Sequence, residues 1–148
     1  MSVSQILPNL WLGNIFDSRD TKFLRNIDIV INCTKTIPFH SNDTKNIRLF
    51  IDDNLKKEEI VNMYKYLDPI TKFLNKNIKL GKNILVHCHA GMQRSATVIC
   101  AFLMKYLNIS YEDSCLFLKS KRNIVFKPLS NFHAALTLFE KKQTTNKK

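Results

Sequence analysis

Between Ile84 and Leu107 the chain changes its hydrophobic period within a few residues, and no other stretch restricts the fold as much. Ile84-Leu85-Val86 is a short apolar segment with strand character, predicting a strand over 83–87. His87-Cys88-His89-Ala90-Gly91-Met92-Gln93-Arg94-Ser95 follows, mostly polar or small, and a helical pattern then runs from about Ser95 to Leu107. A strand that turns directly into a helix needs a sheet for that helix to pack on.

The remaining elements fit around this unit. Ile6 to Gly13 reads as a short strand pair broken at Pro8-Asn9, and Ile27 to Asn32 as a buried strand. Ile47, Leu49 and Ile51 alternate with Arg48 and Phe50, again strand-like. Ile60, Tyr64, Leu67, Thr71, Leu74 and Ile78 recur at helical spacing, with Gly81 placed to close the helix and Pro69 expected to kink or divide it. Ser110 followed by Glu112 and Asp113 has the chemistry of a helix start. Pro128 and Ser130 precede a last helix with Phe132, Leu136 and Phe139 inward. The expectation is an α/β fold, a small central mixed sheet flanked by helices on both faces.

With 148 residues and 45% hydrophobic composition, residues 1–140 are expected to form one domain, followed by a basic polar tail over 141–148. No apolar run approaches a membrane span, and the polar start Met1-Ser2-Val3-Ser4-Gln5 does not read as a signal peptide, so a cytoplasmic setting is expected, with the nucleus as an alternative. Cys33, Cys88, Cys100 and Cys115 show no metal-ribbon spacing, which suits reduced thiols. His40, His89 and His133 lack metal-ligand partners at useful spacing, so no metal is expected. The net charge of +11 attracts polyanions at long range. No basic stripe interleaved with aromatics accompanies it, so nucleic acid is not the expected partner, and attraction for phosphorylated substrates explains the sign equally well.

A cysteine at a strand end, just before a helix and six positions ahead of an arginine, is well placed to hold a phosphate dianion against a thiolate. The helix N-terminus and nearby cations lower a thiol's pKa. The five residues His89, Ala90, Gly91, Met92 and Gln93 would wrap into a cradle of inward amides, with Gly91 allowing a backbone that larger residues resist. Arg94 offers a planar fork to two phosphate oxygens. Ser95 is placed to donate its hydroxyl to the Cys88 sulfur, and His87 to brace the loop. Cys33, Cys100 and Cys115 provide an internal control: Phe39, Tyr106 and Lys121 stand six positions after them, so only Cys88 has the arginine.

This segment, from Asn83 to Met104, resembles the dual-specificity protein phosphatases, in particular their small, atypical, single-domain members. Leu10-Trp11-Leu12-Gly13, Val30-Ile31-Asn32-Cys33-Thr34 and Pro128-Leu129-Ser130-Asn131-Phe132 match weaker landmarks of that family in the same order. The resemblance implies a protein-tyrosine-phosphatase-like fold and a two-step reaction through a cysteinyl-phosphate, without metal or organic cofactor. Gln93 departs from the serine or asparagine that many members carry. The resemblance also implies an aspartate as general acid on a loop upstream of the nucleophile, which here is Asp52-Asp53-Asn54. The alternation of Ile47, Leu49 and Ile51 favours Asp53 over Asp52; aspartates ending a strand are the plainer alternative.

The substrates implied are phosphoproteins carrying phosphotyrosine or phosphoserine and phosphothreonine, since the chain is too short for the extra loop that deepens the pocket of tyrosine-only relatives. Two alternatives stay open: the same chemistry on phosphoinositides or RNA 5′-phosphates, and a phosphoprotein-binding module without turnover. The loop lacks the lysines of lipid-directed members, Ser95-Ala96 differs from the Thr-Gly of the RNA-directed branch, and both Cys88 and Arg94 are present.

Overall fold

The structure, a computed structural model, describes residues 2–146. Five short strands form one mixed sheet: β1 (Ser4–Leu7), β2 (Leu10–Gly13), β3 (Ile29–Asn32), β4 (Lys45–Arg48) and β5 (Ile84–His87), in the spatial order β1-β2-β5-β3-β4. Only β1 and β2 are antiparallel, joined through Pro8-Asn9; the other pairings are parallel. The segment that ends at the cysteine is therefore the central strand. Parallel neighbours hold it on both sides, with Ile84 opposite Leu10 and Ile29, and His87 opposite Gly13 and Asn32.

Alternation divides β5 between two cores. Ile84 and Val86 join Leu10, Leu12, Ile29 and Ile31 in the main core, which is completed by four long helices. These are α2 (Lys57–Lys79), α3 (Arg94–Tyr106), α4 (Tyr111–Lys121) and α5 (His133–Asn146). Leu85 points the other way, to Val30, Leu24 and Ile27, under the single turn α1 (Thr21–Leu24). The mixed sheet and its helical layers agree with the expected fold class.

Local chemistry explains the helix ends. Ser110 accepts from the Asp113 amide and starts α4. Gly81, at φ +79°, closes α2: its amide donates to the Ile78 carbonyl and that of Lys82 to Asn77, both at 3.0 Å. Two expectations need correction. Pro69 does not divide α2, because Pro69 and Lys65 both lie on the exposed side, and the carbonyl that loses its donor there is not buried. The supposed tail from Lys141 instead continues α5 to Asn146, where Lys142 and Lys105 pair with Asp68 at 3.3 and 3.0 Å. Lys147 and Lys148 lie outside the described residues. No helix among the described residues is long and apolar enough to cross a membrane.

Candidate active site

The site forms where β5 stops and α3 starts. Six consecutive carbonyls, Cys88 to Gln93, each accept a hydrogen bond from the surrounding scaffold. His87 Nδ1 reaches Cys88 O at 3.2 Å, and the Ile15 amide reaches His89 O at 2.9 Å. Arg122 binds Ala90 O at 3.1 Å through a terminal guanidinium nitrogen and Gly91 O at 2.9 Å through Nε. The Phe126 amide binds Met92 O at 3.0 Å, and Thr97 binds Gln93 O through both its amide and its hydroxyl. In a trans peptide the N–H opposes the C=O. Carbonyls turned out to the scaffold therefore turn the following amides into the concave side. Amides converging in this way have the chemistry to receive an anion.

Gly91 is indispensable to this path. Its φ is +67°, and a Cβ there would sit 2.5 Å from the Gly13 carbonyl oxygen. Both the conformation and the close passage of two backbones demand glycine. His89 and Ala90 are exposed at the rim, whereas Gln93 and Ser95 are buried.

Cys88 is 2% exposed, and its sulfur lies 3.0 Å from Ser95 Oγ. Burial alone pushes a thiol up. Here it is outweighed by the hydroxyl and amide of Ser95, the Arg94 charge and the Met92 amide, and the thiol falls below its ordinary value. Arg94 is half-buried and anchored through one terminal nitrogen to Ile51 O at 3.0 Å. Burial takes His87 down to about 4, with the Arg48 and Arg94 charges adding to the effect against the bond to Cys88 O. A neutral imidazole donating to a loop carbonyl fits a bracing role.

The two candidate acids have different surroundings. Asp52 pairs with Lys35 at 3.3 Å, and its amide donates to Glu59 at 3.2 Å. Asp53 is exposed, two residues beyond the carbonyl that anchors Arg94, and accepts from Asn131 Nδ2 at 2.9 Å. Arg122 was not singled out from the sequence, and Asn131 only as part of the landmark over 128–132, with no role of its own. Arg122 closes the run Lys119-Ser120-Lys121-Arg122, which reads as a solvated face, yet it is 1% exposed. Among the described residues no group of three or more His, Cys, Asp or Glu side chains is arranged to hold a metal ion.

Comparisons with known proteins bear on the family and the fold. Residues 10–142 match the profile of the dual specificity phosphatase catalytic domain. A putative tyrosine phosphatase of Invertebrate iridescent virus 6 is 34% identical, over 95% of this chain and 94% of its own length. Dual specificity protein phosphatase 9 of Homo sapiens is 32% identical over 93% of this chain, but the match spans only 36% of that protein. Tyrosine-protein phosphatase vhp-1 of Caenorhabditis elegans is 30% identical over 93% of this chain and is likewise matched over only 21% of its length. Among solved structures, human DUSP28 superposes with a TM-score of 0.86 at 20% identity, covering 97% of this chain and 96% of that one. A mouse putative dual specificity phosphatase complexed with zinc tungstate gives 0.85 at 23% identity, covering 97% and 89%.

Proposed function

The chain belongs to the dual-specificity protein phosphatases, and on that footing we propose that it hydrolyses phosphotyrosine and phosphoserine or phosphothreonine in proteins through a cysteinyl-phosphate. The Cys88 thiolate attacks phosphorus while Asp53 gives its proton to the departing oxygen of the substrate. The inward amides and Arg94 hold the other three phosphoryl oxygens, and their grip matters most as charge redistributes in the transition state. Water then attacks the phosphocysteine and passes a proton to Asp53. The sulfur leaves as a thiolate, with the Ser95 hydroxyl donating to it.

The observation that carries this reading is the run of outward-bonded carbonyls around a buried thiol. A structural cysteine needs no such arrangement. A pure phosphoprotein-binding module would not need the thiol pulled down beside Ser95.

The test is phosphate release from matched phosphotyrosine and phosphothreonine peptides in competition, beside a phosphoinositide and a 5′-triphosphorylated RNA. The expected result is release from both peptides by the wild type and none by Cys88→Ser. Release from the lipid or the RNA alone would overturn the protein substrate. Undiminished release by Cys88→Ser would overturn the mechanism.

A further inference from the structure

The phosphate loop and the acid-bearing loop are joined by a third segment, residues 127–131, which precedes α5. Gln93, 4% exposed and next to Arg94, donates through Nε2 to Leu129 O at 2.9 Å and to Lys127 O at 3.4 Å. Its Oε1 accepts from the Asn131 amide at 2.9 Å. The Asn131 side chain then donates to Asp53 Oδ1 at 2.9 Å. Among the described residues this is the one hydrogen bond that the Asp53 carboxylate accepts.

We infer that Asn131, held against the phosphate loop by Gln93, is a positioning residue for the general acid and sets which carboxyl oxygen carries the proton. The inference rests on the assignment of Asp53 proposed above. An amide N–H donates only to an oxygen that presents a lone pair to it. Oδ1 is thus committed as an acceptor, and Oδ2 is left to hold the proton. As Oδ2 protonates the leaving oxygen, the negative charge that forms on the carboxylate is met by the Asn131 N–H. In the second step Oδ2 takes the proton of the attacking water and the pair returns to its starting state. Asp52, paired with Lys35, has no such tie to the phosphate loop among the described residues.

An exposed carboxylate on a loop otherwise has rotamer freedom that proton transfer cannot tolerate. Gln93 gives this tie its register, because one buried side chain meets both ends of the 127–131 segment.

The test is the dependence of kcat/KM on leaving-group basicity, from 4-nitrophenyl phosphate to phenyl phosphate, for wild type, Asn131→Ala, Asn131→Asp and Asp53→Asn. Asn131→Asp keeps size and backbone while replacing the donor with a second carboxylate. Asp53→Asn should lose at least about 100-fold on phenyl phosphate, and the Asn131 variants about tenfold there but less than about threefold on 4-nitrophenyl phosphate. Inhibition by inorganic phosphate should stay within about twofold of wild type in all of them, since the cradle is untouched. Wild-type leaving-group dependence in both Asn131 variants, beside a steep one in Asp53→Asn, would overturn the positioning role alone. Equal losses on both substrates, or weakened phosphate inhibition, would overturn it in favour of a role in loop structure. Wild-type behaviour of Asp53→Asn would remove the acid assignment and this inference with it.

Discussion

Cys33 and Cys88 separate burial from hydrogen bonding as controls of a thiol. They follow neighbouring parallel strands, and the Cys33 amide donates to His87 O. Cys33 is 0% exposed and Cys88 2%. Burial drives Cys33 well up, while Cys88 comes down because Ser95, Arg94 and the Met92 amide outweigh the same penalty. What distinguishes Cys88, the proposed nucleophile, is its donors. His87, next in line, makes the opposite use of burial. Its folded pKa is about 4 against an ordinary 6.5. Between those values the unfolded chain binds a proton that the folded chain refuses. Stability is therefore full above about pH 6.5 and declines as pH falls toward 4, by about 3 kcal/mol in all. Urea unfolding at about pH 7.5 and about pH 4.5 checks this: His87→Gln should lose about 2.5 kcal/mol of the wild-type difference. An identical pH dependence in the variant would contradict it.

At the scale of elements, the phosphate loop is shaped by what surrounds it. Arg122, where α4 ends, spends its guanidinium on Ala90 O, Gly91 O, Ser2 O and Ser4 Oγ. Arg122→Met would leave buried carbonyls unpaired on the outer side of the loop. The expected outcome is a loss of about 3 kcal/mol in urea unfolding and at least about a tenfold fall in aryl-phosphate kcat/KM. Unchanged activity would show that the cradle holds its shape without that brace. The arginine was illegible in the sequence for a physical reason: its partners are the Ala90 and Gly91 carbonyls and the start of β1, and a backbone carbonyl leaves no mark in residue types. The contact of Asn131 with the Asp53 carboxylate was hidden for a different reason, the 78 positions between them. By contrast Cys88, Gly91, Arg94 and Ser95 were legible because local chain geometry alone brings them together. Pro69 misled because its cost depends on which side of α2 faces solvent, and that is decided by packing.

Over the whole molecule, the order of strands and helices was readable from hydrophobic period, and the central place of β5 was not, since strand order follows from crossovers rather than from local pattern. That placement matters for function. The loop rises from the strand held on both sides, and the flanking strands lead to residues bonded at its start: β2 to Ile15, whose amide donates to His89 O, and β3 to Cys33, whose amide donates to His87 O. The ion pairs found draw on Lys35, Lys105 and Lys142. Each such pair is neutral, so the whole net charge of +11 is left to act at long range on the dianionic substrate proposed above.

The most direct measurement is the pH dependence of Cys88 alkylation by iodoacetamide, read by peptide mass spectrometry so that half-buried Cys115 is scored separately. The expected result is a Cys88 midpoint below the ordinary thiol value of about 8.5, displaced upward in Ser95→Ala, with inorganic phosphate protecting Cys88 and not Cys115. An ordinary alkaline midpoint for Cys88, or alkylation indifferent to phosphate, would contradict a thiolate held ready in an anion cradle.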